Sequence, residues 1–206
     1  MDLRQIIREK HFEKNQVILL EDQTSRYMYI VYSGKVKAVQ TSSSGKEKIL
    51  AIHERGSYFG EMALLDGKTS PATVIAMEDT AVGLIGKEDF EERLLKNERA
   101  KREVISLLCA RLREAWLMLK VFSFADAEQR IRAILNQISS HYGVKIEQGT
   151  IIRMNLTHQD IADCACVSRE TASRILHRFS EAGEIENFGY KSVLLKPVFF
   201  EKMQIL

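Results

Sequence analysis

Arg169, Glu170, Ser173 and Arg174 stand within six residues of one another in the stretch THQDIADCACVSRETASRILHRF, which runs from Thr157 to Phe179. An arginine can hydrogen-bond O6 and N7 of a guanine as a fork, and a glutamate can accept from N4 of a cytosine. Opposite readout chemistries side by side suit a reader of base sequence better than a general phosphate binder. The competing reading is a solvated Arg-Glu-Arg helix face closed by an intrahelical ion pair.

Such a set works only if a helix presents it, and the flanking residues provide one. Thr157 can cap a first helix, with Asp160 three residues on to complete a capping box. Ile161 and Ala162 give that helix an apolar face. Ala165-Cys166-Val167 has room only for a tight turn. Ser168 then caps a second helix whose Ile175, Leu176 and Phe179 fall at helical spacing for a core. The layout is a helix-turn-helix, in which the N-terminal part of the second helix meets base edges in the major groove. Thr157, Ser168 and Thr171 are placed for phosphate contacts at the two helix N-termini.

Ser168-Arg169-Glu170-Thr171, followed by Arg174-Ile175-Leu176, resembles the recognition helix of the cyclic-AMP receptor protein / fumarate-nitrate regulator (Crp/Fnr) family of bacterial transcription factors. Upstream, Phe59-Gly60-Glu61-Met62-Ala63-Leu64-Leu65 resembles the phosphate-binding cassette of the cyclic-nucleotide-binding fold. Two separate motifs in the family's order make a stronger signal than either alone. The resemblance implies a homodimer, double-stranded DNA as partner and RNA polymerase as a further one.

A glycine at a strand-to-helix junction lets backbone N–H groups approach an anion, with the helix dipole assisting. Gly60, Glu61, Met62 and Ala63 are therefore candidate effector-binding residues. The resemblance gives Glu61 a ribose hydroxyl as its partner and places an arginine about ten residues on against the cyclic phosphate. Here Ser70 stands at that position and Pro71 beside it, where the family has a hydroxyl residue. Losing an Arg–phosphate pair removes ~2–4 kcal/mol, roughly 30- to 1000-fold in affinity. Lys68 lies close enough in sequence to act as a substitute point charge. Where the cyclic-AMP receptor has small hydroxyl residues facing the adenine, this chain has Ala115 and Trp116. Trp116, the single tryptophan, could stack on a purine, fill the pocket and hold the helices in register, or belong to the core. Control by cyclic AMP is therefore not the expectation. A different small effector, or activity with none, is.

Composition sets outer bounds. A chain of 206 residues holds one large domain or two small ones, and its 45% apolar content is ordinary for a globular protein. No apolar run is long enough to span a bilayer, and MDLRQIIREKHF lacks the features of a signal peptide, so a soluble cytoplasmic protein without a membrane partner is expected. A net charge of +2 argues for no nucleic-acid partner by itself, but a local patch outweighs the total. Cys109, Cys164 and Cys166 are an odd count in such a chain and argue against a disulfide scaffold. Cys164 and Cys166 are too few for a metal site, and no cysteine lies where the family's iron–sulfur members carry cluster ligands. The favoured reading is two small buried residues, with a redox switch as the alternative. Cys166 occupies a position where the family has glycine, at a cost of about 1 kcal/mol if the backbone keeps its positive φ. The five histidines are scattered, and no catalytic pairing, metal cluster or Walker loop is apparent, so an enzyme is not the reading.

The remaining pattern supplies the scaffold. Short runs at Val17–Leu20, Met28–Tyr32, Val36–Gln40, Lys48–Ile52, Thr73–Ala76 and Ala81–Ile85, broken by turn residues, predict antiparallel strands in a sandwich or barrel. Lys87 to Leu95 reads as a short helix and Glu98 to about Phe124 as a long one. Ile105, Leu108, Leu112, Ala115, Leu119 and Phe122 step by threes and fours along the long helix, an a/d seam for a two-stranded dimer. Val104, Leu107 and Met118 would widen the stripe for burial on the chain's own sheet. Asp126 caps a further helix to about His141, leaving a hinge at 123–126. A β element around Ile146–Met154 follows. A hairpin then pairs Glu184–Glu186 with Ser192–Leu195 around Asn187-Phe188-Gly189-Tyr190.

The expected fold is α+β: an N-terminal antiparallel β-roll that senses an effector (1–97), a dimerisation helix and hinge (98–125), and a C-terminal winged helix-turn-helix (126–206). The expected function is transcription regulation by a homodimer on a palindromic operator, read by residues 168–181. The alternative is a small-molecule-binding module that acts through a protein partner.

Overall fold

The computed structural model describes residues 7–43, 45, 47–154, 156–187 and 192–203. The chain divides into two compact units at Cys109/Ala110, inside its longest helix. The first unit is an antiparallel β-roll. Its strands are β1 (Ile7–Phe12), β2 (Val17–Leu19), β3 (Tyr27–Ser33), β4 (Lys35–Thr41), β5 (Glu47–Glu54), β6 (Tyr58–Phe59), β7 (Thr73–Ala76) and β8 (Thr80–Gly86). They form two four-stranded sheets in the orders β1-β8-β3-β6 and β2-β7-β4-β5. Val36 and Ala38 of β4 and Val74 and Ala76 of β7 are buried by the period-two alternation of a half-buried strand. They meet Phe12, Tyr29, Val31, Phe59 and Val82 in one core.

Six strands lie where the apolar runs predicted, within two residues at each end. The strands β1 and β6 did not announce themselves. β1 reads IREKHF and buries only its last residue while pairing along β8 from Ile7↔Ile85 to Phe12↔Thr80. Charged residues on an edge strand discourage pairing with other chains and erase the alternation that marks a strand. β6 has only two residues, too few for any period.

Helix α1 (Glu61–Asp66) leaves the roll after β6, and α2 (Lys87–Asp89) follows β8. The predicted 87–95 helix is regular only in α2; Phe90–Leu94 continues it as a π-helical turn. That turn buries Phe90 and Leu94 in a second cluster with Met28, Leu64, Ile85 and Val104. Val104 belongs to α3 (Glu98–Phe124), which spans the predicted range.

The second unit adds α4 (Ala127–Tyr142), β9 (Gly143–Ile146), β10 (Gly149–Ile152), α5 (His158–Ala165), α6 (Arg169–Glu181), β11 (Ile185–Asn187), β12 (Val193–Leu195) and α7 (Pro197–Glu201). Asp126 caps α4 by accepting from Gln129 N at 2.8 Å. The β element expected around 146–154 is instead the hairpin β9–β10, which joins the wing in a sheet of order β11-β12-β10-β9. Gly149 is required there: a Cβ would stand 2.1 Å from the Leu195 carbonyl oxygen. The predicted wing strands pair as Ile185↔Leu195 and Asn187↔Val193; residues 188–190 of the turn lie outside the described residues. Ile131, Leu135 and Ile138 of α4, Ile161 and Ala162 of α5, and Ala172, Ile175, Leu176 and Phe179 of α6 are buried in this unit.

Candidate DNA-reading interface and effector cassette

Two caps fix the helix-turn-helix. The Thr157 hydroxyl accepts from Asp160 N at 3.0 Å, and Asp160 Oδ2 accepts from Thr157 N at 2.9 Å and from the Thr157 hydroxyl at 2.7 Å. The capping box is thus complete, and it uses the hydroxyl proton of Thr157. Ser168 caps α6, accepting from Thr171 N at 3.1 Å and donating to Thr171 Oγ1 at 2.9 Å. Between the caps, Cys166 takes φ 53° and ψ 47°, the left-handed conformation that Cβ sterics disfavour. Val167 N closes the turn on the Ala162 carbonyl at 3.0 Å. Cys164 is buried, but Cys166 is exposed, which corrects the expectation of two buried cysteines. Cys166 lies at the left-handed C-terminal end of α5, just past the buried Cys164 and Ala165.

Helix α6 buries Ala172, Ile175, Leu176 and Phe179, so the opposite face is left outward. Arg169, Glu170 and Arg174 are exposed on it, with Ser173 and Thr171 partly covered. None of Arg169, Glu170 and Arg174 enters an ion pair among the described residues, so no intrahelical pair closes that face.

Sequence reasoning missed what anchors the other end of this helix. Arg132 of α4 is 1% exposed, and its guanidinium lies 4.3 Å from the centre of the Phe179 ring and 4.9 Å from that of Phe199. Its Nη1 donates to Glu184 Oε2 at 2.6 Å and to the Phe199 carbonyl at 3.0 Å. Burial alone would raise the Glu184 carboxyl. Hydrogen bonds from Lys202 and Arg132, with the two charges behind them, overcome that and hold it below the ordinary glutamate range. A signal did exist, since Arg132 sits among Ile131, Ile134 and Leu135 in the apolar stripe of α4. Arg130, two residues earlier, donates to the carbonyls of Ala125 and Phe122 at 3.0 Å each, satisfying the C-terminal end of α3.

In the first unit, Gly60 opens α1 at φ 81°, where a Cβ would meet the Tyr27 carbonyl and the Tyr29 ring at 2.9 Å each. The cassette backbone thus has the left-handed junction that its sequence suggests. The Glu61 side chain is fully buried and Ala63 is buried beside it, while Met62 and Lys68 are exposed. Ser70 is 3% exposed, and its hydroxyl donates to the Ala72 carbonyl at 2.7 Å, inside its own turn. No arginine occurs between Arg55 and Arg93. Trp116 is 64% exposed on α3, so it is not core in this chain; Ala115 is exposed beside it.

Residues 9–97 match the cyclic nucleotide-binding domain, and residues 129–198 match the Crp-like helix-turn-helix domain. The chain is 32% identical over 174 residues to the cyclic AMP receptor protein of Thermus thermophilus, covering 84% of this chain and 77% of that one. The chain belongs to the Crp/Fnr family of transcription regulators. This regulator is also 27% identical to the global nitrogen regulator of a Nostoc species over 189 residues, 91% of this chain and 85% of that one. Its fold is shared with a mutant of CooA from Carboxydothermus hydrogenoformans (TM-score 0.84, 23% identity, 99% of this chain and 91% of that one). FixK2 from Bradyrhizobium japonicum shares it too (TM-score 0.80, 24% identity, 92% of each chain). Among its described residues, no helix of the regulator is long and apolar enough to cross a membrane.

Proposed function

We propose that this regulator binds a two-fold symmetric DNA site as a homodimer, with α6 of each protomer in a major groove. The observation that carries the reading is the exposed, unpaired set Arg169, Glu170 and Arg174 on the capped first turns of α6. A guanidinium or carboxylate already held in an ion pair would have to break it before meeting a base. These three do not. Arg169 and Arg174 read guanines, Glu170 reads a cytosine, and Ser173 lies on the same face within reach of a base edge or backbone. The Thr171 hydroxyl oxygen accepts from Ser168, which leaves its own proton for a phosphate, and Ser168 and Thr157 hold the helix N-termini toward the backbone.

The dimer reading is supported by α3. Ile105, Leu112 and Leu119 of the seam are between 50% and 65% exposed in the single chain, with Trp116 beside them. Exposed apolar residues repeating along one helix face need a partner surface. Val104 is buried against the roll, as the competing reading expects, and the seam residue Leu108 packs beside it, so the exposed part of the seam is what calls for a partner. RNA polymerase is the further partner, by membership of the family.

The effector reading departs from the Thermus relative's name. In this chain Ser70 is turned into its own loop and no arginine lies near it in sequence, so a cyclic phosphate lacks its bidentate partner. The regulator acts with a different small effector or with none; cyclic AMP is not its ordinary ligand. The test of the DNA reading is anisotropy titration of a labelled duplex with two inverted TGTGA half-sites, the type that the resemblance of the Arg169, Glu170, Arg174 triplet to other family members implies, against a scrambled duplex across a salt series. Tighter binding to the first at every salt concentration is expected. Equal binding to both sinks the sequence-reading role.

A further inference from the structure

The C-terminal unit carries a row of five alternating charges that touches none of the proposed base-reading residues. Lys202 Nζ donates to Glu184 Oε1 at 2.6 Å, and Glu184 Oε2 accepts from Arg132 Nη1 at 2.6 Å. Arg132 Nη2 reaches Glu128 Oε1 at 3.2 Å, and Glu128 Oε2 pairs with Arg178 Nη2 at 3.1 Å. The row starts just past α7, passes the residue that enters β11, crosses α4 and ends on α6. Its middle is dry: the Arg132 and Glu184 side chains are 1% and 4% exposed, and Arg132 Nε has no hydrogen-bond partner among the described residues.

Stability does not account for this arrangement. Removing two charges from water costs about as much as their attraction returns, and well-packed apolar replacements are often as stable or more so. What the pair supplies is direction. A guanidinium is a rigid planar fork. Here its plane is packed against Phe179 of α6 and Phe199 of α7, while its two Nη groups donate to Glu184, Glu128 and the Phe199 carbonyl. Aliphatic side chains of similar volume would fill the space without fixing these directions together.

We propose that Arg132 is a positioning residue for DNA reading: through the row Lys202–Glu184–Arg132–Glu128–Arg178 it sets the pitch of α6 on α4 and the placement of the wing β11–β12 against it. The inference rests on α6 being the reading helix. The full-length protein tests it, as wild type, as the apolar pair Arg132→Met/Glu184→Leu, and as Glu128→Gln, which cuts the row at its half-exposed side. Affinity is measured for a duplex that the wild type selects from a random pool and for a scrambled duplex of equal length, well below the unfolding temperature of each variant. The ratio of the two affinities is a readout that a merely structural role leaves alone. The apolar pair is expected to lose about tenfold in that ratio, with scrambled-duplex binding within about twofold of wild type because the phosphate contacts persist. A folded apolar pair that discriminates as the wild type does overturns the proposal. If that variant does not fold, Glu128→Gln decides: a reduced ratio supports the proposal and an unchanged one overturns it. If the wild type selects no sequence, the DNA-reading assignment itself fails, and the positioning role that rests on it is overturned with it.

Discussion

Single side chains set what this regulator reads and how well its turn holds. Arg169 on the first turn of α6 is exposed and outside any ion pair among the described residues, so on the proposed reading its deletion costs only what it would give to DNA. Arg169→Ala is expected to lose about 1–3 kcal/mol of operator affinity and to relax preference at one guanine. Competition gel shifts with single-base variants of a half-site measure this, and an equal loss for every variant makes Arg169 a phosphate anchor. Ser168 predicts the opposite pattern: Ser168→Ala removes the α6 cap and the hydrogen bond that orients the Thr171 hydroxyl, so affinity is expected to fall by a common factor for all sequences. Cys166 is a third case. Its φ of 53° costs a side-chain-bearing residue about 1 kcal/mol relative to glycine. Cys166→Gly is therefore expected to raise the urea midpoint of the C-terminal unit modestly; a lower midpoint means the exposed thiol makes a contact that outweighs the backbone strain.

Elements were legible in the sequence where a local rule wrote them. Thr157 with Asp160, Ser168 with Thr171, and Asp126 each cap the helix that their residue types announce. Glu98–Phe124 is one helix because its apolar period never breaks. The edge strand β1 is hidden by charges, and the Arg132–Glu184 pair by distance, since 52 residues separate partners that only the folded unit brings together. That pair makes a pH prediction. A carboxyl held below its ordinary value of 4.5 contributes stability that is fully present above 4.5 and is lost as pH falls through the folded value. The stability gap between wild type and Glu184→Gln should thus be widest near neutrality and close on acidification below 4.5. Urea unfolding at a series of pH values measures it, and a gap independent of pH refutes it. On α3, Leu112 is half exposed in the middle of the seam. Leu112→Lys should convert a dimer to monomers in sedimentation, whereas a wild type that is monomeric at micromolar concentration would show the seam to be misread.

At the scale of the whole molecule, one short motif marks the cyclic nucleotide-binding domain and another the helix-turn-helix domain. The cassette opens on Gly60 in the left-handed conformation, and the sequence has no arginine between Arg55 and Arg93. Calorimetry with cyclic AMP should accordingly show weak or absent binding, and a dissociation constant in the low micromolar range or below would mean that Lys68 or backbone amides suffice. The reading unit makes the more direct claim. A dimer that presents two copies of α6 on one face of a duplex requires two half-sites related by a two-fold axis and centred about one helical turn apart, ~34–36 Å. Selection of duplexes from a random pool by the wild-type protein tests this. The predicted result is a palindrome with that spacing, dominated by G·C pairs in each half. Enrichment of a single asymmetric site, or of no site, would contradict it.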